Sequence, residues 1–200
     1  SNKKQMNMRK LKLQMQVSVD GFVAGPNGEM DWMVWKWDDA ITNYVIGITE
    51  PIDCIVLGRK LAQGFIPTWA SRAANPDTAD KFTEKMDDTS KIVFTKTLND
   101  SDAEVLTWKN TKLAKGDLKE EILKLKNQEG KDIVAYGGGD FVSNLVAHEL
   151  IDEYHIFINP VILGSGMPVF NNHNCSLKLN LIKTITSSTG LVILFYEPVK

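Results

Sequence analysis

The sequence predicts a three-layer α/β/α domain around a mixed, mostly parallel sheet of about eight strands, ending in an antiparallel hairpin. Three observations predict it. Segments 52–57 and 132–136 are short and almost wholly apolar, the pattern of strands covered on both faces. Strand-like and helix-like segments alternate through the first three quarters of the chain, which favours parallel pairing with helices on both sides. Segments 177–186 and 191–197 flank a turn near 187–190, as the arms of a hairpin do.

Taken in order, residues 10–19 alternate polar and apolar side chains and predict a first strand with one buried face. Asp20-Gly21 and Gly25-Pro26-Asn27-Gly28 then mark a loop. Residues 38–50 predict a helix capped by Asp38 or Asp39 and stopped by Pro51. The strand 52–57 leads to Gly58, and a short helix starts near Arg59. Residues 68–76 are expected as loop and 78–86 as a second helix, with short strands at 91–94 and 103–107. Residues 116–127 place Leu118, Ile122 and Leu125 at helical spacing between Lys and Glu. Strand 132–136 is followed by three glycines and a helix over 140–148. Strand 151–158, a Gly/Pro-rich loop over 159–168 and the hairpin complete the chain, with about four helices interleaved in its first three quarters. With no repeat or linker, residues 8–200 are expected as one domain. Residues 1–7 are taken as a tag remnant or disordered terminus, with Met6 or Met8 as the native start.

Composition narrows the function. A net charge of −2 and the absence of a basic tract give no stripe to neutralise phosphates, so nucleic acid is not expected as a partner. No apolar stretch approaches the roughly 20 residues of a membrane helix, and the polar start lacks a signal-peptide core. Cys54 lies in an apolar run and is expected to be buried and inert. Two lone cysteines, Cys54 and Cys175, build neither a disulfide framework nor a zinc site, and fit a cytoplasmic protein. His148, His155 and His173 do not cluster and are expected to be structural, and no metal-ligand spacing occurs.

Chemistry-bearing residues collect where predicted strands end. After strand 132–136 comes Gly137-Gly138-Gly139, which removes every Cβ at a strand-to-helix junction. Backbone can approach a ligand there, and amides at the helix start can face a phosphate. A tight turn without a ligand is the alternative. The spacing is neither the dinucleotide fingerprint, because residue 142 is Val142, nor a P-loop. Gly58-Arg59 follows a second strand, and an Arg there can hold phosphate bidentately. Thr95-Lys96 follows a third. In open α/β sheets, ligands bind beyond the strands' carboxyl ends, so these residues would share an edge. The loop over 17–32 carries Phe22, Val23 and Trp32, apolar groups suited to a pocket wall. Trp35 and Trp37 are expected to cover the core.

The ordered set VSVDGFVAGPNGEMDW, LGR, FTKTL, YGGGDF and NPVILGSGMPVF resembles the dihydrofolate-reductase-like superfamily. It is more similar still to the reductase domain of the bifunctional riboflavin-biosynthesis deaminase/reductase, in its stand-alone bacterial form. The resemblance runs from about residue 8 onward. It implies NADPH as cofactor. Gly137, Gly138 and Gly139 would hold the pyrophosphate, backed by the amides of Asp140 and Phe141. Gly58-Arg59, with Thr95 and Lys96, would bind the 2′-phosphate side. Val23 and Ala24 would lie against the nicotinamide, with Trp32 closing over it. Asp20 matches the family's acidic turn residue, with a structural role first and a catalytic role second. A homodimer is a further expectation of the resemblance. The family commonly has Thr two residues after the Arg, where Leu61 stands here and cannot supply that hydroxyl. The chain also lacks the H-x-E and P-C-x-x-C of the zinc deaminase half.

The reaction these features point to is hydride transfer from NADPH to a C=N or C=O group of a small heterocyclic or ribose-derived substrate. One alternative is the 5-amino-6-(5-phosphoribosylamino)uracil reductase step of riboflavin biosynthesis. Residues 20–39, rich in Trp, Met and Asp, are a poor setting for that substrate's phosphate. The other is a non-catalytic nucleotide-binding protein on the same fold.

Overall fold

The structure, a computed structural model, describes residues 8–170 and 176–200. In chain order the elements are β1 (Leu11–Ser18), β2 (Phe22–Ala24), α1 (Asp39–Thr49), β3 (Ile52–Gly58), α2 (Arg59–Ala74), α3 (Lys81–Asp88), β4 (Ser90–Phe94), α4 (Ala103–Leu106), β5 (Thr111–Ala114), α5 (Leu118–Lys126), β6 (Asp132–Tyr136), α6 (Gly139–Ala147), β7 (Glu153–Asn159), β8 (Met167–Pro168), β9 (Leu179–Thr186) and β10 (Val192–Pro198). Eight strands form one sheet in the order β5-β4-β3-β6-β1-β7-β10-β9, and β2 pairs with β8 in a separate ribbon. The first six strands of that order run parallel, while β10 is antiparallel to both β7 and β9. The mixed sheet and its terminal hairpin are therefore as the sequence predicts.

Helices cover both faces because the strands are apolar on both. On one face Leu11, Leu13, Met15 and Val17 of β1 pack with Ile122 and Leu125 of α5 and Val142, Leu145 and Val146 of α6. On the other, Ile55 and Leu57 of β3 meet Ala62 and Ile66 of α2 and Met86 of α3. Beside them, Ile41, Val45 and Ile48 of α1 pack on Phe157 of β7 and Ile193 of β10. Each such side chain contributes about 1.5–3 kcal/mol of burial, so these layers outweigh any single polar contact.

The strands' amino-terminal edge is fastened by charge. Arg9 pairs with Asp53 and donates to the Lys131 carbonyl at 2.6 Å. Lys126 reaches Asp152 at 2.7 Å and Lys12 reaches Asp132 at 3.3 Å. His155 is buried between Tyr44 Oη at 2.5 Å and Glu153 Oε1 at 3.0 Å, a structural placement. His148 caps the end of α6. Cys54 is buried, and desolvation pushes its thiol up to about 11. His173, Cys175 and residues 1–7 lie outside the described residues.

Several expectations are corrected. β1 has two buried faces rather than one, because it lies between β6 and β7 with helices on both sides, and Lys12 and Gln14 are buried too. Residues 68–74 continue α2 instead of forming a loop. Pro67 costs that helix one hydrogen bond, but Phe65, Ile66 and Trp69 keep their packing on the sheet side. Residues 103–106 are the short helix α4, begun after Asp102, and not a strand. The edge strand β5 lies at 111–114, where no strand was expected. α3 starts at Lys81 because the capping box of Asp80 with Thr83 fixes its first turn. The described residues thus contain six helices rather than about four. Trp37 packs against Phe157 as expected, but Trp35 is 58% exposed and covers no core.

Candidate functional site

The carboxyl ends of β4, β3, β6, β1 and β7 lie side by side, and the predicted site residues follow those ends. The helices that start there are not finished alike. α1 and α5 begin with Asp38 and Asp117, whose side chains accept from the Ile41 and Glu120 amides. α2 and α6 begin with Gly58 and Gly138, and neither has a side-chain cap. A helix start leaves amide N–H groups without intrahelical partners and carries a partial positive charge. Because β3 and β6 are neighbours, two such starts stand next to each other. That arrangement suits an anion with several oxygens.

At three of these junction glycines a Cβ would crowd a neighbouring side chain. A Cβ at Gly58 would fall 2.9 Å from Phe141 Cβ, and one at Gly138 would fall 2.7 Å from Val23 Cγ2. At Gly137 it would fall 2.9 Å from Leu61 Cδ2, and there φ is also +108°. Gly139, at φ +67°, has nothing within 4 Å on its Cβ side among the described residues. The structure thus brings Val23, Gly58, Leu61, Gly137, Gly138 and Phe141 together. Phe141 also stacks on Phe94 with ring centroids 5.4 Å apart, joining the end of β4 to the group. Leu61 lies over Gly137 and offers an apolar surface there.

The cations sit at the rim. Arg59 opens α2 half-buried, its Nη1 donating to Gln63 Oε1 at 3.2 Å. Lys96 is exposed and donates to the Lys115 carbonyl at 2.8 Å. Thr95 is buried, and its Oγ1 accepts from the Thr97 and Leu98 amides at 3.1 and 3.0 Å. Asp140 is exposed in the first turn of α6.

Next to this group lies the β2–β8 ribbon, where Ala24 is opposite Met167. Asp20, in the turn before it, accepts from Ser18 Oγ at 2.7 Å and from the Gly164 and Leu163 amides at 2.8 and 3.1 Å. The Ser18 hydroxyl, aided by those amides, holds its carboxyl below the ordinary value. Asp20 therefore ties two loops together as an anion. Trp32 is half-buried, with Nε1 donating to the Glu29 carbonyl at 2.8 Å.

Sequence reasoning missed Asn159. Its side chain is fully buried at the end of β7. Nδ2 donates to Gln16 Oε1 at 2.9 Å and Oδ1 accepts from the Val34 amide at 2.8 Å. One carboxamide joins β1, β7 and the Trp-rich segment, through contacts more than a hundred residues apart that no local motif announces.

Sheet order, hairpin and glycine-lined edge define an α/β domain of the dihydrofolate reductase type. Dihydrofolate reductase from Enterococcus faecalis, solved in complex with NADP(H), superposes with a TM-score of 0.58 at 16% identity, covering 96% of this chain and 97% of that one. The RibD C-terminal domain family matches residues 9–193, and the chain belongs to that family. Acinetobacter baumannii RibD gives a TM-score of 0.71 at 17% identity, and the match covers 98% of this chain but 59% of that larger one. The uncharacterized protein YyaP of Bacillus subtilis (strain 168) is 32% identical over 195 residues, 96% of each chain.

Proposed function

We propose that the chain is an NADPH-dependent reductase that transfers a hydride to a C=N or C=O group of a small heterocyclic or ribose-derived molecule. The observation that carries this reading is the pair of glycine-started helices, α2 and α6, at adjacent strand ends, with no side-chain cap on either among the described residues. The residues fit the cofactor. The amides of Gly139, Asp140 and Phe141 and the start of α2 at Gly58 would hold the pyrophosphate, and Arg59, Thr95 and Lys96 the 2′-phosphate. Val23 and Ala24 would set the face against which the nicotinamide lies, with Trp32 above it. Bound NADPH would supply the hydride.

The protein's part is then to bind, orient and exclude water. Asp20 is held ionised by its three donors, so it is a poor proton source near neutral pH. We assign it the positioning of the 163–164 loop, and the proton to solvent. The family match also favours a second reading, the reduction of 5-amino-6-(5-phosphoribosylamino)uracil in riboflavin biosynthesis. A cytoplasmic homodimer acting on a small molecule completes the proposal. Light scattering that returns the monomer mass would remove the dimer from it.

Titration of NADPH and NADH into the purified protein tests the reading. NADPH is expected to bind at least about tenfold more tightly than NADH, the equivalent of about 1.4 kcal/mol from the 2′-phosphate contacts. Binding of neither at about 1 mM would overturn it. NADPH binding without turnover across a panel of imines and carbonyl compounds would leave the non-catalytic nucleotide-binding protein instead.

A further inference from the structure

The carboxyl edge has two halves of opposite character. The half at the ends of β3, β4 and β6 carries Arg59, Lys60 and Lys96 beside the glycine turns. The half at the ends of β1 and β7 is built from segments 20–38 and 159–170. Segment 20–38 holds one cation, Lys36, against the four carboxylates of Asp20, Glu29, Asp31 and Asp38, and segment 159–170 holds no charged residue. These segments instead expose Met30, Trp35 and Met167 to water. A phosphate dianion here would meet carboxylates and apolar groups, losing hydration without gaining a partner.

The strand between these segments adds a neutral polar surface. Gln14 and Gln16 project from the same face of β1, since side chains two apart share a face. Gln16 lies opposite Phe157, whose ring packs in the α1 layer. Asn159 holds Gln16 Oε1 at 2.9 Å and so fixes the carboxamide's orientation, and Gln16 is only half-buried. Gln14, two residues deeper and 8% exposed, has a buried Oε1 with no hydrogen-bond partner among the described residues. Such an oxygen calls for a donor. Two carboxamides offer donors and acceptors without charge.

We propose that this half takes a planar, uncharged heterocycle bearing no phosphate, with its polar edge read by the carboxamides of Gln16 and Gln14 and its ring lying against the Trp-rich segment. The proposal rests on the reductase reading and names its substrate class. The step it implies adds a hydride from NADPH and a proton from solvent across a C=N or C=O bond of the heterocycle. The products are the amine or alcohol and NADP+.

The test uses the full chain saturated with NADP+, titrated by calorimetry with riboflavin and, separately, with its 5′-phosphate ester. The two probes share one planar ring system and differ by the phosphate. The unphosphorylated compound is expected to bind at least about tenfold more tightly. Gln16→Leu should weaken that binding about 3–10-fold, the worth of one neutral hydrogen bond, with NADP+ affinity unchanged as the check on folding. Asp31→Lys, at an exposed position, should narrow the preference by raising affinity for the ester. Equal or tighter binding of the ester, or binding of neither compound at about 1 mM, overturns the proposal while leaving the reductase reading in place. Failure of NADP+ itself to bind sinks both.

Discussion

A methyl group at Gly138 would stand 2.7 Å from Val23 Cγ2, yet φ there is −157°, a conformation any residue adopts. Gly138→Ala should therefore fold and push the β2 segment outward, lowering NADPH affinity about tenfold, a displacement worth about 1.4 kcal/mol, as read by titration. Gly137 differs, because its φ of +108° disfavours a side chain wherever space is found. Gly137→Ala should lose about 1–2 kcal/mol of stability in urea unfolding. Adding Leu61→Ala should recover only the part due to the contact at 2.9 Å. Leu61→Thr alone should raise NADPH affinity several-fold if the hydroxyl reaches phosphate, and an unchanged or weaker affinity would sink that role. Glycines and an arginine beside strand ends are local signals, which is why this half of the candidate site is legible in the sequence. Asn159 and Gln16 are not, since each looks ordinary until β1 and β7 are paired.

At the scale of elements, Asp38 does two jobs. It caps α1 through the Ile41 amide and accepts from Ser187 and Ser188 at the tip of the β9–β10 hairpin. The Ile41 amide first, then the Ser187 hydroxyl, bring its carboxyl down from 3.8 to about 2. A depressed folded-state value means the contribution is present above pH 3.8 and is lost as pH falls toward 2. Asp38→Asn should flatten the acid limb of the stability curve across that interval in unfolding measured against pH. An unchanged limb would show that the hairpin tip does not depend on the charge. Asn159→Ala should cost about 2–3 kcal/mol, because it leaves the Val34 amide and Gln16 Oε1 without their buried partner. Element type was legible where period and caps agree, as in α5 between Asp117 and Asn127. It was not legible at α2, where Pro67 suggests a stop that tertiary packing overrides, or at α4 and β5, which are four residues each and carry too little pattern.

For the whole molecule, the sheet runs unbroken from β5 to β9, so we propose that residues 8–200 unfold as one cooperative unit. Coincident far-ultraviolet and tryptophan transitions should follow, and two separate midpoints would contradict it. NADPH at about a hundred times its dissociation constant should stabilise that unit by about 2.7 kcal/mol, visible as a raised melting temperature that NADH at equal concentration does not match. The fold class was legible because buried strands and crossover helices alternate. The strand order was not, since placing β1 between β6 and β7 depends on partners far along the chain.

That placement has a consequence in time. Leu11 must wait for Ile133, and Lys12 for Glu153, before either can pair. At synthesis rates of about 5–20 residues per second, the strand that ends as the middle of the sheet spends on the order of ten seconds outside the ribosome with no neighbour. Throughout that interval Leu11, Leu13, Met15 and Val17 are uncovered. Pairings this distant in sequence also slow folding itself. The nascent chain thus carries β1 unpaired until β6 and β7 emerge, and a holdase chaperone crosslinked to stalled chains should contact β1 before that length and release it after.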